Sequence, residues 1–235
     1  MVYDNKTLEY MDVIWKDVET RRNFKIGVLS KNGKYTFTYH KEGLEEAKAR
    51  GFKGLIAFPD FEAEYTNEEL FPVFEARLPD KRRKDLPYIL ESYNLNEYDV
   101  FELLKKTEGK TPTDTLSFVE PIILYKQDEI VREFYIVGIR HCDICDGLKN
   151  DKCTVEVEFE IGENLELVPE KNNIIDEYAV GVFKGEYKVG YIPIYYSKQV
   201  TLALKEGYHV KCIVKHFDSN KCCQECLRVL LNIKK

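Results

Sequence analysis

The first 140 residues contain no cysteine; all seven of the chain's thiols lie beyond them. An odd number of thiols argues against a disulfide framework and for free thiols or metal ligands in a reducing compartment. The asymmetry is also the first sign of two unlike halves. No apolar run approaches the roughly 18 residues that a membrane-spanning helix needs. Met1–Asn5 shows no basic stretch followed by an apolar one, so a cytoplasmic protein without a secretory leader is expected. Positive charge is not in excess: the net charge is −6 and the pI is near 5.5. That excludes the broad basic footprint of a tight duplex binder and leaves room only for a local basic site. The C-terminal half is nearer neutrality, so a phosphate site is expected there. There is no glycine-rich phosphate loop, no kinase-type catalytic loop and no nucleophile–base pair, so no enzymatic activity is expected. Internal repeats and low-complexity segments are absent as well.

What remains is an ordinary globular composition. With 235 residues, 44% hydrophobic and 32% charged, the chain can bury a core as one large domain or as two of about 100 residues each. Sixteen Tyr and thirteen Phe lean it toward β-structure. Strands are expected at Tyr10–Trp15, Phe24–Leu29 and Lys34–Tyr39, with a tight turn at Asn32-Gly33, where both residues tolerate positive φ. Helices are expected over Glu42–Arg50, stopped by Gly51, and over Glu97–Thr107, stopped by Gly109. Thr66 and Glu69 have capping-box spacing and predict a helix running through Phe71 and Phe74. Asp80–Tyr93 predicts another helix, in which Pro87 must sit early. Leu116–Tyr125 returns to strand.

The polar segment Lys126–Glu129 marks a boundary between domains at 1–125 and 130–235. Beyond it strands are expected at Arg132–Arg140, Cys153–Ile161, Leu165–Val168, Tyr178–Phe183, Tyr187–Ile192, His209–His216 and Leu227–Ile233. One helix is expected near Ser197–Lys205. That pattern predicts a small β-barrel, making the chain α+β: a mixed N-terminal domain followed by a barrel with one helix.

Asp60, Glu62 and Glu64 alternate, as do Glu156, Glu158 and Glu160. Such carboxylates can line a metal-dependent nuclease site, but period two more often marks the wet face of a strand. Lys81-Arg82-Arg83-Lys84 can touch phosphates or be a solvated helix start. Cys142-x-x-Cys145 and Cys222-Cys223-x-x-Cys226 have the spacing of a closed tetrathiolate zinc site, best satisfied by Cys142, Cys145, Cys223 and Cys226. Cys222 is a substitute ligand, His141 and His216 are unneeded donors, and Cys153 and Cys212 read as ordinary strand residues. Reduced thiols without metal and a redox pair are the alternatives.

Two family resemblances follow. Ile26-Gly27-Val28-Leu29, Gly33–Tyr39, Leu70–Leu78 with Phe71 and Phe74, and Asp99–Leu104 with Gly109 resemble the N-terminal subdomain of HipA-type toxin kinases. The kinase body is missing, so the resemblance implies a fold and a partner-contact role such as restraining a HipA-like kinase, not phosphotransfer. The second half resembles a HIRAN domain. Val137-Gly138-Ile139-Arg140, Leu165–Glu170, Asn172–Val180 and Val189–Pro193 with Tyr195-Tyr196-Ser197 carry that likeness. It implies a module for single-stranded DNA 3′ ends or distorted DNA. On its pattern, Arg140 matches the phosphate contact, Asn172 and Asn173 the amide pair, and Asp176 the acceptor of the free 3′-hydroxyl. Tyr191 stands at a further contact position. His141 and Ile175 stand where stacking aromatics are expected, so the stacking part is depleted. Asn-Asn-x-x-Asp is also ordinary turn chemistry, and both readings stay open here.

Overall fold

The computed structural model describes residues 9–142, 144, 145, 157–223 and 225–235. The chain divides into two compact units, with the boundary between Pro121 and Ile122.

The first unit is built on β1 (Glu9–Lys16), β2 (Asn23–Asn32), β3 (Lys34–Tyr39), β4 (Tyr65–Asn67) and β5 (Leu116–Val119). All neighbours are antiparallel, in the order β4-β3-β2-β1-β5. Alternation in β3 buries Tyr35, Phe37 and Tyr39 on one face, as period two requires. Phe37 meets Phe58 at 4.5 Å and Phe74 at 5.7 Å between ring centroids, and Phe74 meets Phe118 at 4.8 Å. These rings form the centre of the core. Helices α1 (Lys41–Ala49), α2 (Pro72–Glu75), α3 (Leu86–Ser92) and α4 (Val100–Thr107) complete the unit. Asp99 starts α4: its carboxylate accepts the N–H groups of Phe101 (2.7 Å) and Glu102 (2.9 Å). Such a cap contributes about 1 kcal/mol.

Three expectations are corrected. Thr66 caps no helix. It lies in β4 opposite Thr36, where a β-branched side chain suits a ladder, and Pro72 with its preset φ starts the helix instead. Asp60, Glu62 and Glu64 lie outside any strand, on an exposed turn where Asp60 accepts the Glu62 N–H at 2.9 Å. The strand from Leu116 ends at Val119, two residues before Pro121.

The second unit contains β6 (Glu129–Tyr135), β7 (Asn164–Pro169), β8 (Val180–Lys184), β9 (Tyr187–Tyr191), β10 (His209–Phe217) and β11 (Leu227–Lys234). They form one antiparallel sheet in the order β6-β11-β10-β7-β8-β9. Helix α5 (Ile194–Lys205) follows β9 and starts earlier than Ser197, because the Pro193 carbonyl accepts from the Tyr196 and Ser197 N–H groups. No strand covers residues 157–161, and the rest of the strand expected from Cys153 lies outside the described residues.

The expected barrel does not close along a ladder. Among the described residues the two edges of the sheet are tied at a single bridge, where Val137 and Tyr191 exchange hydrogen bonds of 3.0 and 2.8 Å. The pairing stops there because Gly138 turns away at φ 76° into a 3-10 turn, Ile139–His141. Gly190 makes the bridge sterically possible. It sits at φ 147°, and a Cβ there would lie 2.4 Å from Ile136 Cγ2 and 2.7 Å from the Val137 carbonyl oxygen.

Candidate nucleic-acid interface

The bridge at Val137–Tyr191 sets the 3-10 turn carrying Arg140 and His141 beside the end of β9. Arg140 Nε donates to His141 Nε2 at 2.9 Å, so the two side chains project as a unit. Across from them, the loop between β7 and β8 is pinned at both ends. The Glu170 N–H donates to the Ala179 carbonyl (2.8 Å), the Ala179 N–H to the Asp176 carbonyl (3.0 Å), and Thr201 Oγ1 of α5 to the Tyr178 carbonyl (2.9 Å).

Inside that loop, Asn173 Oδ1 accepts the N–H groups of Ile175 (2.9 Å) and Asp176 (3.2 Å), and Asp176 Oδ1 accepts that of Tyr178 (2.9 Å). These are Asx turns: Asp176 shapes the loop with the carboxylate that the resemblance assigns to a hydroxyl, whereas Asn173 uses its Oδ1 and keeps its Nδ2–H, the group that can donate to a phosphate, for another partner. Asn172 is exposed. Ile174 and Ile175 point outward at the tip, 99% and 59% exposed, and offer apolar contact but no π-face.

Two residues that sequence reasoning did not single out organise the rim. Glu170, just past the end of β7, accepts from three donors on two segments: Lys188 Nζ and Tyr191 OH (3.1 Å) of β9, and Asn173 Nδ2 of the loop (3.4 Å). Lys188 Nζ also donates to the Tyr191 hydroxyl and stands 4.0 Å from the centre of its ring. Burial pushes the Glu170 carboxyl up, but hydrogen bonds from Lys188, Asn173 and Tyr191 outweigh it and leave the group below the usual carboxylate range. The Lys188 ammonium is opposed by burial yet ends above the usual lysine range through Glu170 and Tyr191. Gly181 of β8 leaves space for the pair, since a Cβ there would lie 2.9 Å from Glu170 Oε1. The rim thus brings Asn173 and Tyr191 onto one carboxylate and sets Arg140 and His141 next to Tyr191. The sequence signal for Glu170 and Lys188 was weak: one carboxylate and one lysine at strand ends, meaningful only once β7, β8 and β9 are in register.

The cysteines gather at a different place. The Ile136 N–H donates to the Leu227 carbonyl (3.0 Å), which brings Cys226 alongside the segment leading to Cys142. Both cysteine pairs are turns: the Cys145 N–H donates to the Cys142 carbonyl (3.1 Å) and the Glu225 N–H to that of Cys222 (2.9 Å). Cys142, Cys223 and Cys226 are buried, Cys145 is partly so, and Cys222 is exposed. Burial pushes the Cys226 thiol up to about 12, with Cys223, Cys222 and Cys145 adding to the effect. Burial alone pushes Cys212 in β10 up to about 12, as fits a strand residue of the core. Among the described residues no three Cys, His, Asp or Glu side chains stand as a group that could hold a metal ion. Cys153 lies outside the described residues.

The basic run Lys81–Lys84 precedes α3 as a solvated turn, with Arg82 paired to Asp80 (2.7 Å) and Arg83 to Asp85 (2.6 Å). Glu158 and Glu160 are exposed around the buried Phe159; Glu156 lies outside the described residues. No described helix is long and apolar enough to cross a membrane.

No curated protein matches the chain. Two solved structures are similar over part of it. One is a protein from Lactobacillus plantarum, at 19% identity and a TM-score of 0.34, covering 45% of this chain and 96% of that one. The other is the HIRAN domain of human HLTF, at 17% identity and a TM-score of 0.29, covering 46% of this chain and 79% of that one. Residues 20–112, the span that holds most of the first sheet with α1 to α4, match the family model described as HipA N-terminal domain.

Proposed function

We propose that the chain is a non-enzymatic binding protein whose second unit takes single-stranded DNA 3′ ends or distorted DNA, while its first unit engages a protein partner. The observation that carries this reading is the shared rim: Asn173 and Tyr191, distant in sequence, meet at one carboxylate, and the bridge from Tyr191 to Val137 leads directly into the turn that carries Arg140, positions that a HIRAN-like site would use. Arg140 contacts phosphates, and Asp176 accepts the terminal hydroxyl. With histidine and isoleucine in place of two stacking rings, each lost base stack removes about 1–3 kcal/mol, so affinity is low. The zinc expected from Cys142, Cys145, Cys223 and Cys226 belongs to this proposal as well: it would tie the two turns together and take no part in ligand binding, and the four thiols would have to close up around it, since no such group stands among the described residues.

The test is fluorescence anisotropy at low salt with three probes: a strand ending in a 3′-hydroxyl, the same strand ending in a 3′-phosphate, and a blunt duplex. The hydroxyl strand binds best. Asp176→Ala removes the preference between the two ends, and Arg140→Ala weakens every strand alike. Absence of any 3′-end preference in the unaltered protein refutes this reading. A second reading is favoured by the family match over residues 20–112: the chain restrains a HipA-like kinase. Co-purification of such a kinase with the full chain supports it.

A further inference from the structure

Three donors on the rim converge on a carboxylate that belongs to the chain itself. Lys188, Tyr191 and Asn173 come from a strand and a loop that are pinned independently, and all three aim at the two oxygens of Glu170. An ammonium, a hydroxyl and an amide N–H around one anion form the donor set that proteins also use to hold a phosphate. The Lys188 and Glu170 side chains are 26% and 27% exposed, so solvent reaches both. Gly181 leaves the room in which the carboxylate sits.

We propose that Lys188, Tyr191 and Asn173 are a phosphate cradle that in the free chain is occupied by the Glu170 carboxylate, an internal mimic of the ligand. The identity of the natural ligand, a nucleic-acid phosphodiester, rests on the DNA reading above; the cradle itself does not. Glu170 competes with the incoming phosphate, so binding exchanges one anion for another. Lys188 is already neutralised and releases no counterion on binding. The carboxylate is therefore a brake on affinity that a single substitution removes.

The experiment uses the full chain with Glu170→Gln, which keeps shape and removes charge, and Glu170→Asp, which retracts the charge on a shorter arm. Inorganic phosphate is one probe, read as a shift in thermal midpoint against chloride at equal ionic strength. A single-stranded oligonucleotide is the other, read by anisotropy across salt concentrations. Glu170→Gln gains about tenfold in strand affinity, the scale of one added charge-assisted contact. Its plot of log affinity against log salt steepens by about 0.7, one more neutralised phosphate of a single strand. Phosphate raises its midpoint where it leaves the unaltered protein unmoved, and Glu170→Asp lies between. Adding Lys188→Gln abolishes every gain. A phosphate response without strand binding keeps the cradle and refutes DNA as the ligand. Strand binding by the unaltered chain that neither Glu170 variant strengthens keeps the DNA reading and overturns the cradle.

Discussion

Arg77 offers the sharpest test of how the first unit is held together. Its guanidinium, 6% exposed, reaches from the end of α2 to the segment before β5. Nε donates to the Gly109 carbonyl (2.6 Å), the two terminal nitrogens grip the Asp114 carboxylate (2.7 and 2.6 Å), and one of them also reaches the Leu116 carbonyl (3.3 Å). The group lies 5.8 Å from the centre of the Phe118 ring. A planar fork with five donors can serve these partners at once, and an ammonium cannot. Arg77→Ala strands two carbonyls and a carboxylate. Breaking a buried pair costs about 3–5 kcal/mol; Asp114 is 39% exposed and recovers water, which lowers the expected loss to about 2–3 kcal/mol. Arg77→Lys keeps the charge but loses the fork, at about 1–2 kcal/mol.

The assay is urea unfolding followed by tryptophan fluorescence. Trp15, in β1, is the chain's one tryptophan and reports the first unit alone. The pH dependence provides a second handle. Burial raises the Asp114 carboxyl, but the hydrogen bonds from Arg77 and from the Leu116 N–H, with the Arg77 charge, leave it below the usual carboxylate range. A carboxylate lowered on folding stabilises the fold fully above its unfolded value and loses that contribution as pH falls through its folded one. The difference between the unaltered chain and Arg77→Ala is therefore constant from about pH 5 to 8 and narrows below about pH 4. A loss under about 1 kcal/mol at neutral pH, or no difference between Ala and Lys, refutes the clamp.

Further outcomes are expected elsewhere. Purified protein contains about one zinc per chain, which Cys223→Ser with Cys226→Ser removes while lowering the thermal midpoint; no metal and seven freely titrating thiols refute the site. Limited proteolysis nicks between Pro121 and Glu129 and releases two fragments that each keep a cooperative transition. Gly190→Ala forces a methyl against Ile136 and the Val137 carbonyl at a strained φ and destabilises the second unit by more than about 2 kcal/mol, seen as a lowered melting midpoint; a neutral effect contradicts the bridge geometry.

Much of the fold was legible because its elements carry local signatures. Lys34–Tyr39 alternates polar and aromatic residues and is a strand with three buried rings. Asp99 before an apolar stripe caps α4 as its chemistry demands. Thr66 shows the limit: a capping box is a local pattern, and here ladder pairing of Thr66 with Thr36 overrides it. Barrel closure was out of reach for a related reason. Strand count suggests closure, but Gly190 lets the edges meet and the turn at Gly138 then ends the pairing after one bridge among the described residues. At the rim, Arg140, Asn173 and Tyr191 were visible through family resemblance. Glu170 and Lys188 were not, because their meeting depends on the register of three strands.

That register also sets where the rim residues stand. Leu167 opposite Val182 and Gly181 opposite Tyr191 fix where β7, β8 and β9 end relative to one another. Lys188 and Tyr191 are three residues apart and meet on one side only because Val189 is an extra, unpaired residue of β9 at the register shift; a one-residue slip in β9 would carry both to the other face of the sheet. The bulge between Val182 and Phe183 adds an offset to this pairing. A bulge increases local twist and redirects the strand that carries it. Polar residues on such a pinned edge lose little entropy when a ligand arrives, since their positions are already fixed by Asx turns and backbone pairing. Preorganisation of this kind favours an anion that fits the three donors. It also favours the internal carboxylate that already does, so the strand pairing that builds the cradle is what keeps Glu170 in it.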